Sequence, residues 1–214
     1  MTNTTPTPRT IATDMNPTIE AAVSDVRPAD LDESSGRNQK GSKTGRLLVL
    51  CAIGGAVSLA LGTYAKVHSP TGSGIAAFGF PAVLPMKAWF TTVVATLGLT
   101  QALSAAWMWG RLPGLGSAPK AIAPAHRWLG TTAFLFTLPV AYHCLWALGW
   151  NGTTPRVLAH SLLGCAFYGI FATKMLALRS QRVPSWSLPL LGGTLVTVLT
   201  GIWFTSSYWY FTNF

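Results

Sequence analysis

The stretch Ala141–Gly169, AYHCLWALGWNGTTPRVLAHSLLGCAFYG, sets His143 and His160 inside two apolar runs separated by a short polar loop. An imidazole surrounded by hydrocarbon is unfavourable unless its nitrogens are engaged, so both residues are candidates for function. The third apolar run ends near Trp150 and the fourth begins near Val157, which puts His143 seven residues before one end and His160 three after the other. At ~1.5 Å per residue, both stand within ~5 to 10 Å of one membrane boundary. Two imidazoles at one depth on neighbouring helices point to iron. Low-spin haem b takes an axial nitrogen on each face, and helix bundles build such sites from facing side chains. His143 and His160 are the predicted metal ligands, and haem b is the predicted cofactor.

Helical spacing extends this pattern. Gly164 follows His160 by four residues on the same face, where a missing side chain leaves room for a flat macrocycle, and Tyr168 and Phe171 continue that face. Lys66, Lys87 and Arg156 fall at the same level and can bind the two propionates. His68, just past the first apolar run, is an alternative partner for either His143 or His160, because helices joined by a short loop often pack too closely to clamp a haem between them. His126 lies at the opposite boundary. It is 17 residues from His143, about 100° around the helix, and only Met108 or Lys174 could serve beside it, so one site is expected.

The three cysteines, Cys51, Cys144 and Cys165, all fall within apolar runs, and no Cys-x-x-Cys-His is present. Covalent c-type attachment is therefore not expected, and the thiols read as small packed hydrophobes. A copper or zinc site through Cys144 or Cys165 is disfavoured, since Cys165 lies five residues from His160, about 140° around the helix.

The elements that must position these groups are membrane helices. Half of the 214 residues are hydrophobic and 10% are charged. Five apolar runs at about 46–66, 88–109, 127–150, 157–178 and 187–210 each have the ~20 residues that cross a bilayer. The expected fold is all-α, a polytopic bundle of five transmembrane helices over residues 46–214, preceded by a disordered cytoplasmic tail over 1–45 that is acidic and then basic. The start of the chain shows no secretory signal pattern, so the first span is expected to act as an uncleaved anchor.

Charge is segregated. The acids Asp14, Glu20, Asp25, Asp30, Asp32 and Glu33 all lie in the first 33 residues, and the membrane part has none. That excludes carboxylate-pair hydrolysis, oxygen-ligand calcium or magnesium sites, and acidic proton relays. Nucleic-acid binding is also not expected, because the basic residues are scattered at helix ends. With the N-terminus inside, Arg37, Lys40, Lys43, Arg46, Arg111, Lys120, Arg127, Lys174, Arg179 and Arg182 face the cytoplasm, against Lys66, Lys87 and Arg156 outside. The positive-inside rule then gives N-inside, C-outside, with SSYWYFTNF at the outer interface.

Gly54, Ser58 and Gly62 form a small-residue stripe that lets a helix approach closely, within the chain or from another one. The Gly- and Pro-rich connection 67–85 is expected to dip into the headgroup region or fold over the bundle. HRWLG and HSLLG repeat a His-x-x-Leu-Gly pattern at a displacement of 34 residues, and Asn151-Gly-Thr153 matches a glycosylation sequon.

HRWLG and HSLLG resemble the His-led helix starts of b-type membrane cytochromes and haem-handling membrane enzymes, a resemblance that implies haem and electron transfer. The regular four-histidine, two-haem pattern of those cytochromes is not reproduced. The segments LGTYAKVHSPTG, LPMKAW, HRWLG, LPVAYHCLWALGW and RVLAHSLLGCAFYGIFATKML, over about residues 60–178, resemble a bacterial family of five-span membrane proteins with no established activity. The leading expectation is a multi-pass protein of the bacterial plasma membrane, an electron carrier with one haem b near the outer face. Its partners would be the lipid bilayer and a quinol or redox protein. The alternatives are a non-catalytic subunit of a larger membrane complex, docked through the Gly54 stripe, and a small transporter or anion pathway drawing on the cationic bundle and Gln101. The last lacks broken helices or an inverted repeat.

Overall fold

The computed structural model describes residues 28–74, 76–180 and 182–214, with side chains from Gly41 onward. The chain divides into two compact units, Met1–Ser42 and Lys43–Phe214, and the fold below is that of the second. The tail expected over 1–45 lies outside the described residues as far as residue 27, and from Pro28 the backbone is helical.

Among the described residues there are helices and no strands. Helix α1 is Pro28–Val67, α2 is Val83–Met108, α3 is Ile122–Tyr142, α4 is Pro155–Arg179 and α5 is Ser187–Trp203. Helix α3 runs on as a π-helical turn, His143–Leu148, and α5 as another, Phe204–Tyr208, before a last helical segment, Trp209–Asn213. Five stretches are long and apolar enough to cross a membrane: Gly41–Val67, Val83–Met108, Ile122–Leu148, Pro155–Arg179 and Ser187–Asn213. All five predicted spans are present, and the first three begin at Gly41, Val83 and Ile122, ahead of the expected starts at 46, 88 and 127. Helical hydrogen bonding continues into the polar ends, where Lys and Arg heads reach away from the hydrocarbon.

Local sequence sets the helix ends. Thr154 caps α4 by accepting Val157 N–H at 3.3 Å, and Pro155 takes the first helical position, where no donor is needed. Helix α2 ends in a Schellman turn, with Gly110 N–H on Trp107 O and Arg111 N–H on Ala106 O, and Gly110 supplies the positive φ that the turn requires. Threonine hydroxyls along α2 and α5 donate back to the carbonyl four residues earlier, as Thr96 does to Thr92 at 3.0 Å, and so need no partner from lipid.

Helices α2, α3, α4 and α5 pack in the pairs α2 with α3, α4 with α5 and α2 with α5. Val94, Phe167, Leu195, Val198, Leu199 and Ile202 form the buried centre, with Phe136, Leu163 and Tyr168 around it. Leu48, Leu59, Leu103, Leu135 and Trp128 face outward, as lipid contact requires. Polar bonds pin the end of α5 to α2: the fully buried Ser207 donates to Ala88 O at 2.9 Å, and the Trp203 indole N–H donates to Thr92 Oγ1 at 3.1 Å.

Helix α1 seats on α4 through its small-residue stripe. A Cβ on Gly54 would strike Thr173 Oγ1 and Gly169 O, and one on Gly169 would strike Ser58 Oγ and Gly54 O. Ser58 Oγ donates to Cys165 O at 3.1 Å and Thr173 Oγ1 lies 3.3 Å from Leu50 O, so the crossing is stapled on both sides. The stripe is therefore engaged within the chain.

Replacing Gly54 or Gly169 by Leu should cost about 3 kcal/mol or more through overpacking against backbone, read as a lower thermal midpoint in detergent. Gly55→Leu, where an added Cβ meets nothing within 4 Å, should leave the midpoint unchanged. Ser207→Ala should cost about 1 kcal/mol, the worth of one buried hydrogen bond, by the same measurement.

Candidate functional site

One cavity of about 370 Å³ opens inside the bundle, and every helix contributes to its wall. It lies at the end that carries the Val67–Val83 connection, the 149–154 loop and the C-terminal turns. Leu61 and Ala65 of α1, Val94 of α2, Phe167 and Tyr168 of α4 and Ile202 of α5 make it apolar for most of its depth. Near its mouth the character changes. Lys87, Cys144, Arg156, His160 and Thr205 all line it, and no carboxylate is among the lining residues.

Thr205 organises this polar mouth. Its Oγ1 lies 2.8 Å from Gly201 O and 3.1 Å from Ile202 O, so its single proton goes to its own helix. With that proton on its own helix, the oxygen accepts from His160 Nδ1–H, 3.1 Å away. In that tautomer Nε2 is the unprotonated nitrogen, the form that can ligate metal, and the Cys144 thiol is hydrogen-bonded to the same ring. The carbonyl of Thr205 accepts Arg156 Nη1–H at 2.7 Å, while the Arg156 guanidinium sits 3.9 Å from the centre of the Trp209 ring. The π-helical turn at Phe204–Tyr208 is where both bonds arise, consistent with the habit of such turns to occur at functional sites.

Gly164 meets the sequence expectation for space: an added Cβ there would find no atom within 4 Å, and the residue lines the cavity. Of the residues singled out from sequence, the fold brings together His160, Gly164, Lys87 and Arg156. It does not bring His143, His68 or Lys66 to that cavity.

His143 is 2% exposed and held by an Nδ1–H bond to Pro139 O at 2.7 Å. Its Nε2 is buried without a partner, and a Cβ on Gly74 would lie 3.2 Å from that atom, so the backbone of the connection between α1 and α2 covers this edge of the ring. His68 is stacked on Tyr64 with centroids at 5.2 Å and on Trp146 at 4.4 Å. Thr71 N–H and Gly72 N–H reach Trp146 O and Ala147 O, which makes residues 68–74 a strap laid across the π-helical turn. Gly149 ends that turn at φ 65°, and Pro70 and Ala65 O leave no room for a Cβ there. The connection thus folds over the bundle, one of the two expected outcomes. Lys66 is exposed on α1.

From sequence, Cys144 reads as a small packed hydrophobe and a poor metal ligand, with no link to His160. The thiol lines the cavity beside both the His160 ring and the Lys87 ammonium. Cys144 is on the turn following α3 and His160 on α4, so only the packing of two helices joins them, and no spacing rule within one helix could find the pair. Thr205, 45 residues from His160, was missed for the same reason.

At the other end of the bundle His126 is held in the same manner. Ser104 Oγ donates to Gln101 O at 3.1 Å and accepts His126 Nδ1–H at 2.7 Å. The Gln101 amide donates to His126 O and fills the space over Gly130, where a Cβ would come 3.1 Å from Gln101 Oε1. The two His-x-x-Leu-Gly segments thus make the same kind of site, open at Gly164 and filled at Gly130. No group of three or more His, Cys, Asp or Glu able to hold a metal occurs among the described residues.

No curated protein and no solved structure matches the chain. A family model, described as a family of unknown function (DUF6529), matches residues 47–214, which takes in well over half of the chain. The protein therefore belongs to the DUF6529 family of unknown function.

Proposed function

We propose that the cavity is a haem b site with His160 as the axial ligand from its wall, and that this integral membrane protein is an electron carrier. The observation that carries the reading is the combination at one mouth of the His160 imidazole, held through Nδ1 by Thr205, an open face at Gly164 and two cations with no acid among the lining residues. An amphipathic, doubly anionic, flat ligand matches these features: apolar walls for the ring, Lys87 and Arg156 for two carboxylates, imidazole for the metal.

Bound haem supplies a one-electron couple whose potential follows its ligands and surrounding charge. The residues of the chain do the rest. Thr205 fixes the imidazole orientation and tautomer, Arg156 is pre-organised by Thr205 O and Trp209, and Phe167 with Tyr168 shields the interior from water. His143 has no place in this arrangement, because its ring belongs to the strap contact and lies outside the cavity lining. The excess of Lys and Arg at the opposite end supports an orientation with the cavity toward the outer face of the membrane. A quinol or an outer redox protein is the partner class that such a position favours.

Absorbance of protein purified from haem-replete cells should show a Soret band and a reduced α-band, and a colourless preparation would remove the proposal. His160→Gln should abolish both bands, whereas His143→Gln should retain them. Thr205→Val, which deletes the acceptor behind the axial ring, should weaken haem retention by about 10- to 100-fold in a haem-transfer assay.

A further inference from the structure

At the end of the bundle opposite the cavity, one cation stands unmatched. Lys174 sits inside the span Pro155–Arg179, more than a helical turn before its end. It is half-buried, forms no hydrogen bond or ion pair among the described residues, and no carboxylate side chain follows Glu33 in the sequence. A cation drawn partly out of water needs an anion or an acceptor beside it. Phe171, one turn earlier, stacks on Phe134 of α3 at 4.3 Å, so this face of α4 is turned to α3, and the Lys174 ammonium is close enough to act electrostatically on the His126 ring. Ser104 Oγ donates to Gln101 O and accepts His126 Nδ1–H, which leaves Nε2 as an acceptor with no donor of the chain on it among the described residues. A cation that lacks an acceptor and an acceptor that lacks a donor thus stand near each other. Exposed apolar side chains flank them on both helices, Leu135 on α3 and Met175 on α4.

We infer that Lys174 and His126 hold the headgroup of one anionic phospholipid of the adjacent leaflet, a phosphodiester whose headgroup carries a hydroxyl, as in phosphatidylglycerol. The phosphate accepts a charge-assisted hydrogen bond from the Lys174 ammonium, the hydroxyl donates to His126 Nε2, and the acyl chains lie on the exposed apolar surface of α3 and α4. Each part of the lipid answers one feature of the pair. The negative charge supplies what the acid-free bundle lacks, and the hydroxyl supplies the donor that Ser104 leaves Nε2 without. A small inorganic anion would have to shed its water to reach a cation set within the span, whereas a lipid phosphate is already held at the membrane boundary with hydrocarbon attached. The site is separate from the cavity, and it stands whether or not that cavity holds haem.

The test titrates detergent-solubilised full-length protein with defined lipids and follows binding by native mass spectrometry. Phosphatidylglycerol should bind in preference to phosphatidylcholine. Phosphatidylmethanol, a phosphodiester of equal charge without a headgroup hydroxyl, should bind more weakly than phosphatidylglycerol to the wild type and equally well to His126→Phe. Lys174→Met keeps the stem and removes an unpaired charge, so it should fold, and it should lose phosphatidylglycerol affinity by about 10- to 100-fold, the worth of a hydrogen bond to a charged group. Lys174→Arg should retain the affinity, and Lys120→Met, which removes an exposed cation at the same end, should leave it unchanged. Undiminished binding to Lys174→Met overturns the site. So does a wild type that takes phosphatidylcholine or phosphatidylmethanol as tightly as phosphatidylglycerol, or one from which millimolar inorganic phosphate displaces the lipid.

Discussion

Where α1 crosses α4, Gly54 and Gly169 face each other's carbonyls with no room for a methyl group on either side. In lipid there is little hydrophobic gain in bringing helices together, so close backbone approach, with the dispersion and side-chain hydrogen bonds it permits, has to hold α1 in place. The consequences run along the helix. With Gly54 seated, Leu61 and Ala65 come to form one wall of the cavity, and Ala65 O accepts Trp150 N–H at 2.8 Å, which locks the loop before α4. Beyond Ala65, His68 reaches its stacked place on Trp146 and the strap is laid across the π-helical turn. The enclosure at one end of the bundle depends on the absence of two side chains nearer its middle.

Departures from regular helix mark both sides of that enclosure. Pro139 removes one backbone donor inside α3, and within a few residues the helix widens into the turn that exposes Cys144 to the cavity and presents Trp146 and Ala147 carbonyls to the strap. Helix α5 widens at Phe204, where Thr205 turns one oxygen to His160 and the other to Arg156. Straight α-helices would have kept those carbonyls within their own ladders. The π-helical turns and the polar groups of the site coincide, as expected where function is placed on a packed scaffold.

The five helices were legible in the sequence because the signal for a membrane span is length and apolarity, both local properties. Gly164 and the two cations Lys87 and Arg156 were legible through helical spacing and depth. Equal depth, however, does not fix rotation about the helix axis. His143 and His160 were expected at one level, yet one ring is packed under the strap and the other lines the cavity. Cys144 and Thr205 were illegible for a related reason: each meets His160 across a helix interface, and no single-helix periodicity encodes such a contact. The stripe on α1 was recognised as a packing surface, but whether its partner was internal depended on Gly169, whose role appears only once both helices are docked.

The absence of acidic side chains from the bundle reaches beyond ligand choice. Lys87 and Arg156 line the cavity with no carboxylate of this domain available to neutralise them, and the low polarisability of the surrounding hydrocarbon lets their field extend inward. Any redox group seated among them would experience a standing positive potential and would accept an electron more readily than the same group dissolved in the bilayer. The electrostatic potential at this end of the molecule is thus set by which residue types the chain omits.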